Sequence, residues 1–359
     1  MEIINIKQYV GELDILSLLK PQPYTNLLVA PTGSGKSTAL LSLAERNGFD
    51  MAFVSPFTSI NEQMQANFPN FQIQTGTKET EMVSFGRNTI TTFHSIVRLW
   101  EMDNIDILVI DEIHVLVNYA GYASTILNPF WDTLERLKSK HPHMKIVAAT
   151  GTPQFIRMYP RFNFHEIIVK PEKMLGDRIG RVEAGSWKNE YPKDSYICLY
   201  PSRKVGAQQA AKHGGSFVES TNKETNAAYQ SIVSKGELTS PRLFTSTLLA
   251  TGVSILTEVD KVIVNWSDLV DTVQFAARPR KGYKKLLLTG GTFWHERGGV
   301  DPVLVSWSGD FARDMKLLLK YQQWISYMAR VDLDVYVEVV RIMLTHPEQD
   351  IVELMNALM

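Results

Sequence analysis

The stretch LLVAPTGSGKST, residues 27–38, combines residue types that bind phosphate groups. Its apolar half is typical of a buried strand, and Gly33 and Gly35 then permit a tight turn whose amide groups face inward. We expect a helix to begin near Lys36. Amide groups that converge on a helix N-terminus favour an anion, because the N–H groups and the helix dipole both face it. The spacing therefore predicts a site for the phosphates of a nucleotide.

The side chains of this loop would complete that site. Lys36 would reach the outer phosphates, and the Ser37 hydroxyl would bind Mg²⁺. The strict pattern G-x-x-x-x-G-K-[ST] is missed at its first position, where Ala30 stands. The alternative is an ordinary strand, turn and helix with a surface lysine, and the order of strand, loop, Gly-Lys-Ser and helix favours the phosphate site. The predicted nucleotide-binding residues are Thr32, Gly33, Ser34, Gly35, Lys36, Ser37 and Thr38.

A pair of acidic residues follows a second apolar run, in IDILVIDEIHVL, residues 105–116. Asp111 could hold Mg²⁺ directly or through water, and Glu112 could orient and deprotonate a water that attacks the γ-phosphate. His114 has two ring nitrogens that can hydrogen bond, so it could bridge the nucleotide and a neighbouring loop. Two acids after a strand are by themselves more typical of a solvated turn. The phosphate loop upstream favours the catalytic interpretation.

The elements that must position these residues alternate between strands and helices. Apolar runs of strand length occur at residues 26–30, 51–55, 89–93, 105–110 and 145–149, with stretches long enough for helices between them. Such alternation predicts a parallel sheet covered by helices, with ligands beyond the carboxyl ends of the strands. The phosphate loop and the acidic pair both follow strand ends, as this prediction requires.

A second alternating unit follows a less regular connection. Residues 155–193 are rich in proline, glycine and charge, which indicates a connection plus a strand or hairpin that enters a second unit. Strand-like runs recur at 195–200, 215–218, 242–245, 261–266 and 285–289, and after about residue 301 the apolar spacing becomes helical. We predict an α/β protein with two tandem parallel-sheet domains, 1–155 and 156–300, and a helical C-terminal extension, 301–359.

The composition bounds the class of protein. The chain has 359 residues, of which 44% are hydrophobic and 21% charged, and a net charge of -1, so no strong overall field attracts nucleic acid or membrane. A polyanion could still bind through local backbone and hydroxyl contacts. The single cysteine, Cys198, excludes an internal disulfide and argues against a thiolate metal site. With no signal-peptide pattern and no apolar run of ~20 residues, we expect a cytoplasmic protein that does not span a membrane.

An ordered series of motifs, across about residues 27–281, resembles the DExH-box helicases of superfamily two. APTGSGKST resembles that family's motif I, which tolerates alanine at its first position, and DEIH resembles motif II. The others follow in the family's order: SPFTSINEQ (55–63) resembles motif Ia, TTFHSI (91–96) the next strand-binding motif, ATGTP (149–153) motif III, LYPSRK (199–204) motif IV, FTSTLLATGVSI (244–255) motif V and QFAARPRK (274–281) motif VI.

The resemblance implies two RecA-like domains with ATP and Mg²⁺ in the cleft between them. The catalytic residues would be Lys36, Asp111, Glu112, Gln274, Arg278 and Lys281, with Arg278 as an arginine finger from the second domain. Ser37 and Asp111 would hold Mg²⁺, and Gly252 would join the nucleotide-binding residues. The residues that would couple the nucleotide to the nucleic-acid track are His114, Thr150 and Thr152.

The same resemblance implies that each domain grips a nucleic-acid strand. The candidate contacts are Ser55, Thr58, Thr91 and Thr92 in the first domain, and Ser202, Arg203, Thr245 and Ser246 in the second. Such contacts hold phosphates and carry no sequence information. Each serine or threonine has a structural alternative, because these residues also cap helices.

Motif VI departs most from the family pattern Q-R-x-G-R-x-G-R. Phe275 stands at the first arginine, Ala277 at the first glycine and Lys281 at the last arginine. Lysine is a point charge and not a planar fork, and Arg280 offers a neighbouring guanidinium. Whether Arg280 or Lys281 reaches a phosphate stays open, as does the alternative that both lie on a solvated edge.

We therefore expect a nucleic-acid-dependent ATPase that moves along or unwinds a strand. Its partner would be single-stranded or partly duplex nucleic acid, DNA rather than RNA, and the protein would act as a monomer with replication proteins as further partners. The loop GGTFWHERGG, residues 290–299, would stack on a base or split a duplex, or would form a turn packed on its own domain. The alternative function is an ATP-switched initiator or loader without processive unwinding. A small-molecule kinase is disfavoured, because it would leave the second unit without a task.

Overall fold

A computed structural model describes residues 2–74, 87–172, 179–185, 194–200, 202–250, 253–265, 268–289 and 305–358. The chain divides into two compact units, Met1–Glu172 with Leu304–Tyr321, and Lys173–Val303 with Gln322–Met359. Each unit contains one parallel sheet with helices around it. The predicted α/β class with two parallel sheets and C-terminal helices is confirmed. Of the helices within the described ranges, none is both long and apolar enough to cross a membrane.

The first unit contains an eight-stranded sheet in the order β1-β8-β2-β7-β6-β3-β5-β4. Every neighbouring pair of these strands is parallel, so their carboxyl ends lie along one edge of the sheet. The strands are β1 (Glu2–Ile6), β2 (Thr25–Val29), β3 (Met51–Ser55), β4 (Gln72–Gln74), β5 (Asn88–Thr92), β6 (Ile107–Asp111), β7 (Lys145–Thr150) and β8 (Phe164–Pro171).

The second unit contains a six-stranded sheet in the order β11-β12-β10-β13-β14-β9, again with parallel neighbours. Its strands are β9 (Arg181–Gly185), β10 (Tyr196–Leu199), β11 (Ser216–Val218), β12 (Arg242–Thr245), β13 (Lys261–Val264) and β14 (Lys285–Thr289).

The α-helices connect or cover these strands. They are α1 (Ile15–Leu18), α2 (Lys36–Asn47), α3 (Thr58–Asn67), α4 (Val115–Tyr122), α5 (Leu127–Lys140), α6 (Arg203–His213), α7 (Ala227–Lys235), α8 (Leu269–Ala276), α9 (Phe311–Val331), α10 (Leu333–Thr345) and α11 (Ile351–Leu358). Turns of 3-10 helix occur at Val10–Glu12, Phe93–Glu101, Ser124–Ile126, Ile156–Met158, Pro160–Phe162 and Thr247–Leu249.

The central strands of the first sheet are buried on both faces. β2 and β6 have no exposed residue, which explains their continuous apolar runs. Leu27 and Val29 belong to one apolar cluster and Leu28 to another, because successive side chains of a strand point to opposite faces. Helices on both faces therefore fix β2 and β6, and with them the loops that follow these strands.

The predicted strands all overlap observed ones, and β1 and β4 were not predicted. β8 and β9 both lie within residues 155–193, where a strand or hairpin entering the second unit was predicted without bounds, and β9 joins the second sheet. β8 lies between β1 and β2 in the first sheet, so the first unit continues to Glu172 and the division differs from the predicted boundary at residue 155. The predicted C-terminal extension is also divided, since its first helix, α9, belongs to the first unit up to Tyr321 and to the second unit from Gln322. The loop at residues 290–299 lies outside the described residues.

Candidate nucleotide site

The phosphate loop occupies residues 30–35, between the end of β2 and the start of α2. Gly33 and Gly35 have φ angles of 85° and 83°, a region that disfavours residues with a Cβ. Gly35 is the N-cap of α2, and no side chain caps the helix there. The hydroxyl of Ser34 is buried without a hydrogen-bond partner among the described residues. A buried unsatisfied hydroxyl beside an uncapped helix N-terminus fits a ligand rich in oxygen atoms.

Lys36 lies inside this loop. Its side chain is buried, and Nζ donates hydrogen bonds to the carbonyl oxygens of Ala30 at 2.8 Å and Pro31 at 3.1 Å. The ammonium group is thus directed back over the loop that precedes it. This is the direction that the binding of outer phosphates by the loop requires.

Ser37 and Asp111 join the loop to the acidic pair. Ser37 Oγ donates a hydrogen bond of 2.8 Å to Asp111 Oδ2, although 74 residues separate them in sequence. Burial and the neighbouring charge of Glu112 raise the pKa of Asp111 to about 7, against the opposing effects of Ser37 and Lys36. A carboxyl group held in this way gains from a nearby cation, because a cation offsets both the burial and the repulsion.

Glu112 stands in a strained backbone conformation. Its φ angle is 50°, a left-handed value that is unusual for a residue with a side chain. Its Oε2 atom is buried, has no hydrogen-bond partner among the described residues, and lies 3.4 Å from His114 Nδ1. The strain and the unsatisfied oxygen both indicate a side chain placed for chemistry.

A hydrogen-bond chain continues from His114 to the end of β7. His114 Nδ1 lies 2.9 Å from Thr150 Oγ1, and the same oxygen accepts a hydrogen bond of 2.9 Å from the backbone N–H of Thr152. The three residues that we predicted to couple the nucleotide to the nucleic-acid track are therefore in contact with one another. That contact is compatible with the coupling role, which stays a prediction.

Gly151 was not predicted as a site residue, although it lies within ATGTP. A Cβ atom at this position would stand 2.6 Å from Thr32 Oγ1 and 3.1 Å from the Thr32 nitrogen. The end of β7 therefore packs directly against the phosphate loop. Only a glycine allows this approach without a shift of the loop.

The N-terminal segment also contacts the loop, which sequence reasoning missed. Val10 N–H donates to the Ser34 carbonyl at 2.9 Å, and the Tyr9 side chain lies 3.7 Å from the position of a Cβ on Gly35. Glu12 fixes this segment by accepting hydrogen bonds from three backbone N–H groups, those of Lys7, Gln8 and Tyr9. Residues 7–12 mix polar and apolar types without a helical or strand period, so no pattern in them pointed to the site.

In the second unit, the predicted catalytic residues lie at the end of α8. Arg278 is 1% exposed; its Nε donates to the Gln274 carbonyl at 2.8 Å, its Nη1 to the Val253 carbonyl at 3.2 Å, and its Nη2 to Gln274 Oε1. Lys281 is exposed, and Arg280 is half-buried with Nε donating to Ser254 Oγ at 2.9 Å. Gln274 and Arg278 therefore act on each other in this unit. Gly252 lies outside the described residues.

Three of the residues predicted to contact a nucleic-acid strand have fully buried hydroxyl groups with partners inside their own unit. Ser55 donates to Asn61 Oδ1 at 2.6 Å, Thr91 to the Gln74 carbonyl at 2.7 Å, and Thr245 to the Val218 carbonyl at 3.0 Å. These three hydroxyl groups therefore have an internal structural role in place of a nucleic-acid contact, because a buried polar group needs a hydrogen-bond partner.

The remaining residues predicted to contact a nucleic-acid strand lie closer to the surface or at helix ends. Thr58 is exposed at the start of α3, and Ser246 is half-buried. Ser202 is the N-cap of α6 and accepts from the Val205 N–H, while Thr92 precedes the 3-10 turns at Phe93–Glu101. Arg203, with 58% of its side chain exposed, pairs with Glu219 at 3.4 Å.

The chain is similar to a known protein family and to solved structures. Residues 5–155 match a family model described as "Type III restriction enzyme, res subunit". No curated protein matches the chain. The structure of S. cerevisiae Dbp5 bound to RNA and ADP BeF3 is similar with a TM-score of 0.58 at 14% identity, over 94% of each chain. Mycobacterium smegmatis helicase Lhr bound to ssDNA and AMP-PNP has a TM-score of 0.55 at 14% identity, over 90% of this chain and 52% of that chain. These likenesses establish the fold, two RecA-like parallel-sheet units with C-terminal helices.

Proposed function

We propose that this protein is an ATP-dependent helicase or translocase of superfamily two, of its DExH-box branch. The observation that carries the proposal is the 2.8 Å hydrogen bond from Ser37 Oγ to Asp111 Oδ2, which joins the phosphate loop to the acidic pair. The family match of residues 5–155 and the fold shared with nucleotide-bound helicase structures support it.

ATP and Mg²⁺ fit the first unit. Ser37 and Asp111 would hold Mg²⁺, which when bound neutralises charge on the β- and γ-phosphates. One hydroxyl and one carboxylate suffice, because Mg²⁺ keeps waters and phosphate oxygens as its other ligands. Within the described part of the chain no group of three or more His, Cys, Asp or Glu residues could hold a metal ion, and a site of this kind does not need one.

The residues around the phosphates have separate roles in hydrolysis. Lys36 exchanges the carbonyl oxygens of Ala30 and Pro31 for phosphate oxygens. Glu112 orients the attacking water and accepts its proton at the unsatisfied Oε2. His114 Nδ1 lies 3.4 Å from that oxygen and 2.9 Å from Thr150 Oγ1, so a displacement of Glu112 is transmitted through His114 to Thr150. Hydrolysis thereby changes a chain of contacts that ends at β7.

The second unit contributes Arg278, Gln274 and Lys281 in this proposal. Arg278 is the cation that stabilises charge on the transferred phosphoryl group, as the family resemblance implies. Its guanidinium would exchange the neutral oxygens of Gln274 and Val253 for that charge. Arg280 is the alternative donor, because it is half-buried where Arg278 is buried.

The substrate in this proposal is single-stranded or partly duplex nucleic acid, with DNA preferred to RNA. Open and closed states of the motor differ in their affinity for the strand, and ATP shifts the balance between them. The protein acts as a monomer, with replication proteins as further partners. Thr58, Ser202, Arg203 and Ser246 are the contacts to the nucleic-acid strand that best fit their placement, since Ser55, Thr91, Thr92 and Thr245 are buried.

The test is the rate of ATP hydrolysis with single-stranded DNA, with single-stranded RNA and without polymer. We expect DNA to stimulate hydrolysis more than RNA, and Lys36→Ala to lower the rate at least ~100-fold under all three conditions because the outer phosphates lose their counter-charge. Lys235→Ala, which changes an exposed lysine at the end of α7, is the control. A rate that is the same with and without polymer would contradict the proposed coupling.

A second function, an ATP-switched initiator or loader, shares this site and differs in its product. A strand-displacement assay on a partly duplex oligonucleotide separates the two. ATP-dependent separation of the strands supports the motor, and ATP-dependent binding without separation supports the initiator.

A further inference from the structure

An aromatic cluster in the first unit leaves two of its rings in solvent. Tyr119 is 1% exposed, and its hydroxyl donates to the Pro56 carbonyl at 2.5 Å. Its ring centroid lies 5.5 Å from that of His94 and 5.0 Å from that of Tyr122. Tyr122 is 64% exposed, and His94 is exposed as well. A buried ring thus fixes two accessible ones, which we call the aromatic patch: His94 and Tyr122.

The aromatic patch lies in segments that follow the carboxyl ends of strands in the first sheet, the edge at which the candidate nucleotide site also lies. His94 follows β5, and Tyr122 is the last residue of α4, which follows β6 and the acidic pair. In the sheet β3 lies between β6 and β5, so β5 is about 10 Å from β6 at the usual spacing of strands. The exposed Thr58 follows β3, so it stands at the same carboxyl edge of the sheet, and Tyr119 contacts Pro56 two residues before it.

The segments that build this surface favour a polyanion. Residues 55–61, 91–100 and 113–131 contain no aspartate or glutamate, although the chain contains 38 such residues. Arg98 is the basic residue of these segments, apart from the histidines. Partial burial of its ring lowers the pKa of His94, which favours the neutral imidazole and its π surface. A strand of phosphates can therefore approach without a carboxylate from these segments opposing it.

We propose that the aromatic patch stacks on unpaired bases of the nucleic acid, so that the first unit binds bases as well as phosphates. The proposal rests on the function proposed above and specifies its substrate as a single strand with accessible bases. A base in a duplex already has neighbours on both faces, whereas an unpaired base can place one face on an aromatic ring. Every base has such a face, so the patch would act on any sequence.

A protein partner is the competing occupant of such a surface. The aromatic side chains alone do not separate the two, because tyrosine is common in protein interfaces as well. The hydrogen bond from Tyr119 to Pro56, which directly follows β3, places the patch near the carboxyl end of that strand. This location and the lack of carboxylates in the three segments favour nucleic acid.

The experiment measures binding of the full chain to three labelled polymers of equal length, by fluorescence anisotropy. They are single-stranded oligothymidylate, an abasic strand with the same backbone, and a blunt duplex. We expect Tyr122→Ala and His94→Ala each to weaken binding of oligothymidylate about tenfold. Binding of the abasic strand and the duplex should change less than about twofold, because these offer no unpaired base to stack.

Matched variants keep the result interpretable. Tyr122→Phe and His94→Phe preserve a ring and should restore most of the binding, which separates stacking from a change in folding. Tyr24→Ala removes an aromatic side chain that is 43% exposed at the amino end of β2, away from the patch, and should bind all three polymers as the unaltered protein does.

The possible failures point to different causes. If the unaltered protein binds none of the polymers, the proposed function fails and the stacking fails with it. If it binds oligothymidylate and both alanine variants bind equally well, the stacking is wrong while the function stands. Equal losses for oligothymidylate and the abasic strand would also overturn the stacking, since they would indicate a phosphate contact or a structural defect.

Discussion

Among the single residues of the first unit, Glu112 combines two unfavourable features. Its φ angle of 50° strains the backbone, and its buried Oε2 has no hydrogen-bond partner among the described residues. Each feature costs about 1–3 kcal/mol in stability. Such costs persist where the surrounding structure holds a side chain in place, here the end of β6 and the contact with His114. We interpret them as the consequence of placing a base beside the phosphates.

Replacing that base tests the interpretation. Glu112→Gln keeps the shape of the side chain and removes its ability to accept a proton. We expect kcat for ATP hydrolysis to fall about 10²–10⁴-fold, while the affinity for ATP, measured by titration calorimetry, changes little.

Glu135→Gln, at an exposed position of α5, is the control and should leave kcat unchanged. If Glu112→Gln lowered ATP affinity and left kcat intact, Glu112 would be a binding residue and not the base.

Among the elements, the contact between the end of β7 and the phosphate loop determines the shape of the nucleotide site. Gly151 approaches Thr32 more closely than any side chain would allow, and the Ala30 N–H donates to the Thr150 carbonyl at 3.3 Å. The loop is therefore held from one side by β7 and from another by the N-terminal segment through Val10. Both supports come from outside residues 30–35 themselves.

A methyl group at Gly151 should loosen this support. Gly151→Ala places a Cβ 2.6 Å from Thr32 Oγ1, so the loop must shift. We expect the protein to lose about 1–3 kcal/mol of unfolding free energy and the KM for ATP to rise several-fold.

Gly11→Ala is the matched control, because the nearest atom to its new Cβ is the Ala39 Cβ at 4.0 Å. Thermal unfolding of the two variants measures the change in stability, and steady-state kinetics measures the change in KM for ATP. Equal behaviour of both variants would mean that the close approach does not shape the loop.

In the second unit, Asp260 ties together the amino ends of β10, β13 and β14. It accepts hydrogen bonds from Lys284 Nζ at 2.7 Å and from the backbone N–H and Oγ of Ser195 at 3.0 and 2.8 Å. The bond from Lys284, followed by those from Ser195, lowers the pKa of Asp260 to about 2. Because the folded-state pKa lies below the ordinary aspartate value of 3.8, the stabilisation is complete above pH 3.8 and is lost as the pH falls from there towards 2.

Asp260→Asn should reveal that dependence. One-third of the Asp260 side chain is exposed, so solvent screening reduces the effect. We expect a loss of about 1 kcal/mol in unfolding free energy at pH 7. The difference from the unaltered protein should shrink between pH 4 and pH 3, which urea unfolding at several pH values measures. Glu237→Gln, an exposed carboxyl of the same unit, is the control. A difference that stayed constant over this range would contradict the assigned pKa.

At the scale of the whole molecule, each unit recruits part of the C-terminal region. Phe311 of α9 is 2% exposed and stacks on Trp131 of the first unit with ring centroids 4.9 Å apart. Ser326, later in α9, accepts a hydrogen bond of 3.1 Å from the Leu269 N–H of the second unit. Both units therefore depend on residues far from their sheets in sequence.

Removing the Phe311 side chain should destabilise the first unit. Phe311→Ala deletes a ring from a core that also contains Phe130 and Phe162, and we expect a loss of about 3–5 kcal/mol in the unfolding of that unit. Urea unfolding followed by circular dichroism measures it. Val331→Ala changes the same helix at a residue that is 66% exposed and should have little effect. If both variants unfolded like the unaltered protein, α9 would not belong to the core of the first unit.

The chemistry-bearing residues and the alternation of strands and helices followed from the sequence by itself. Lys36, Ser37 and Asp111 were predicted as site residues from type and spacing, because a phosphate loop and an acidic pair each need a short run of particular residues after a buried strand. The central strands were found since burial on both faces gives continuous apolar runs. β1 was missed, and β8 and β9 were predicted only as an unbounded strand or hairpin, because these strands are partly buried and carry polar residues.

Tertiary structure alone decided which of these groups meet. Gly151 and Tyr9 reach the phosphate loop through packing between segments distant in sequence, for which one sequence carries no signal. Ser55, Thr91 and Thr245 turned inward, since a hydroxyl beside a core must satisfy its hydrogen bonds there. Local patterns specify what a segment can form, and long-range packing determines which surface each side chain faces.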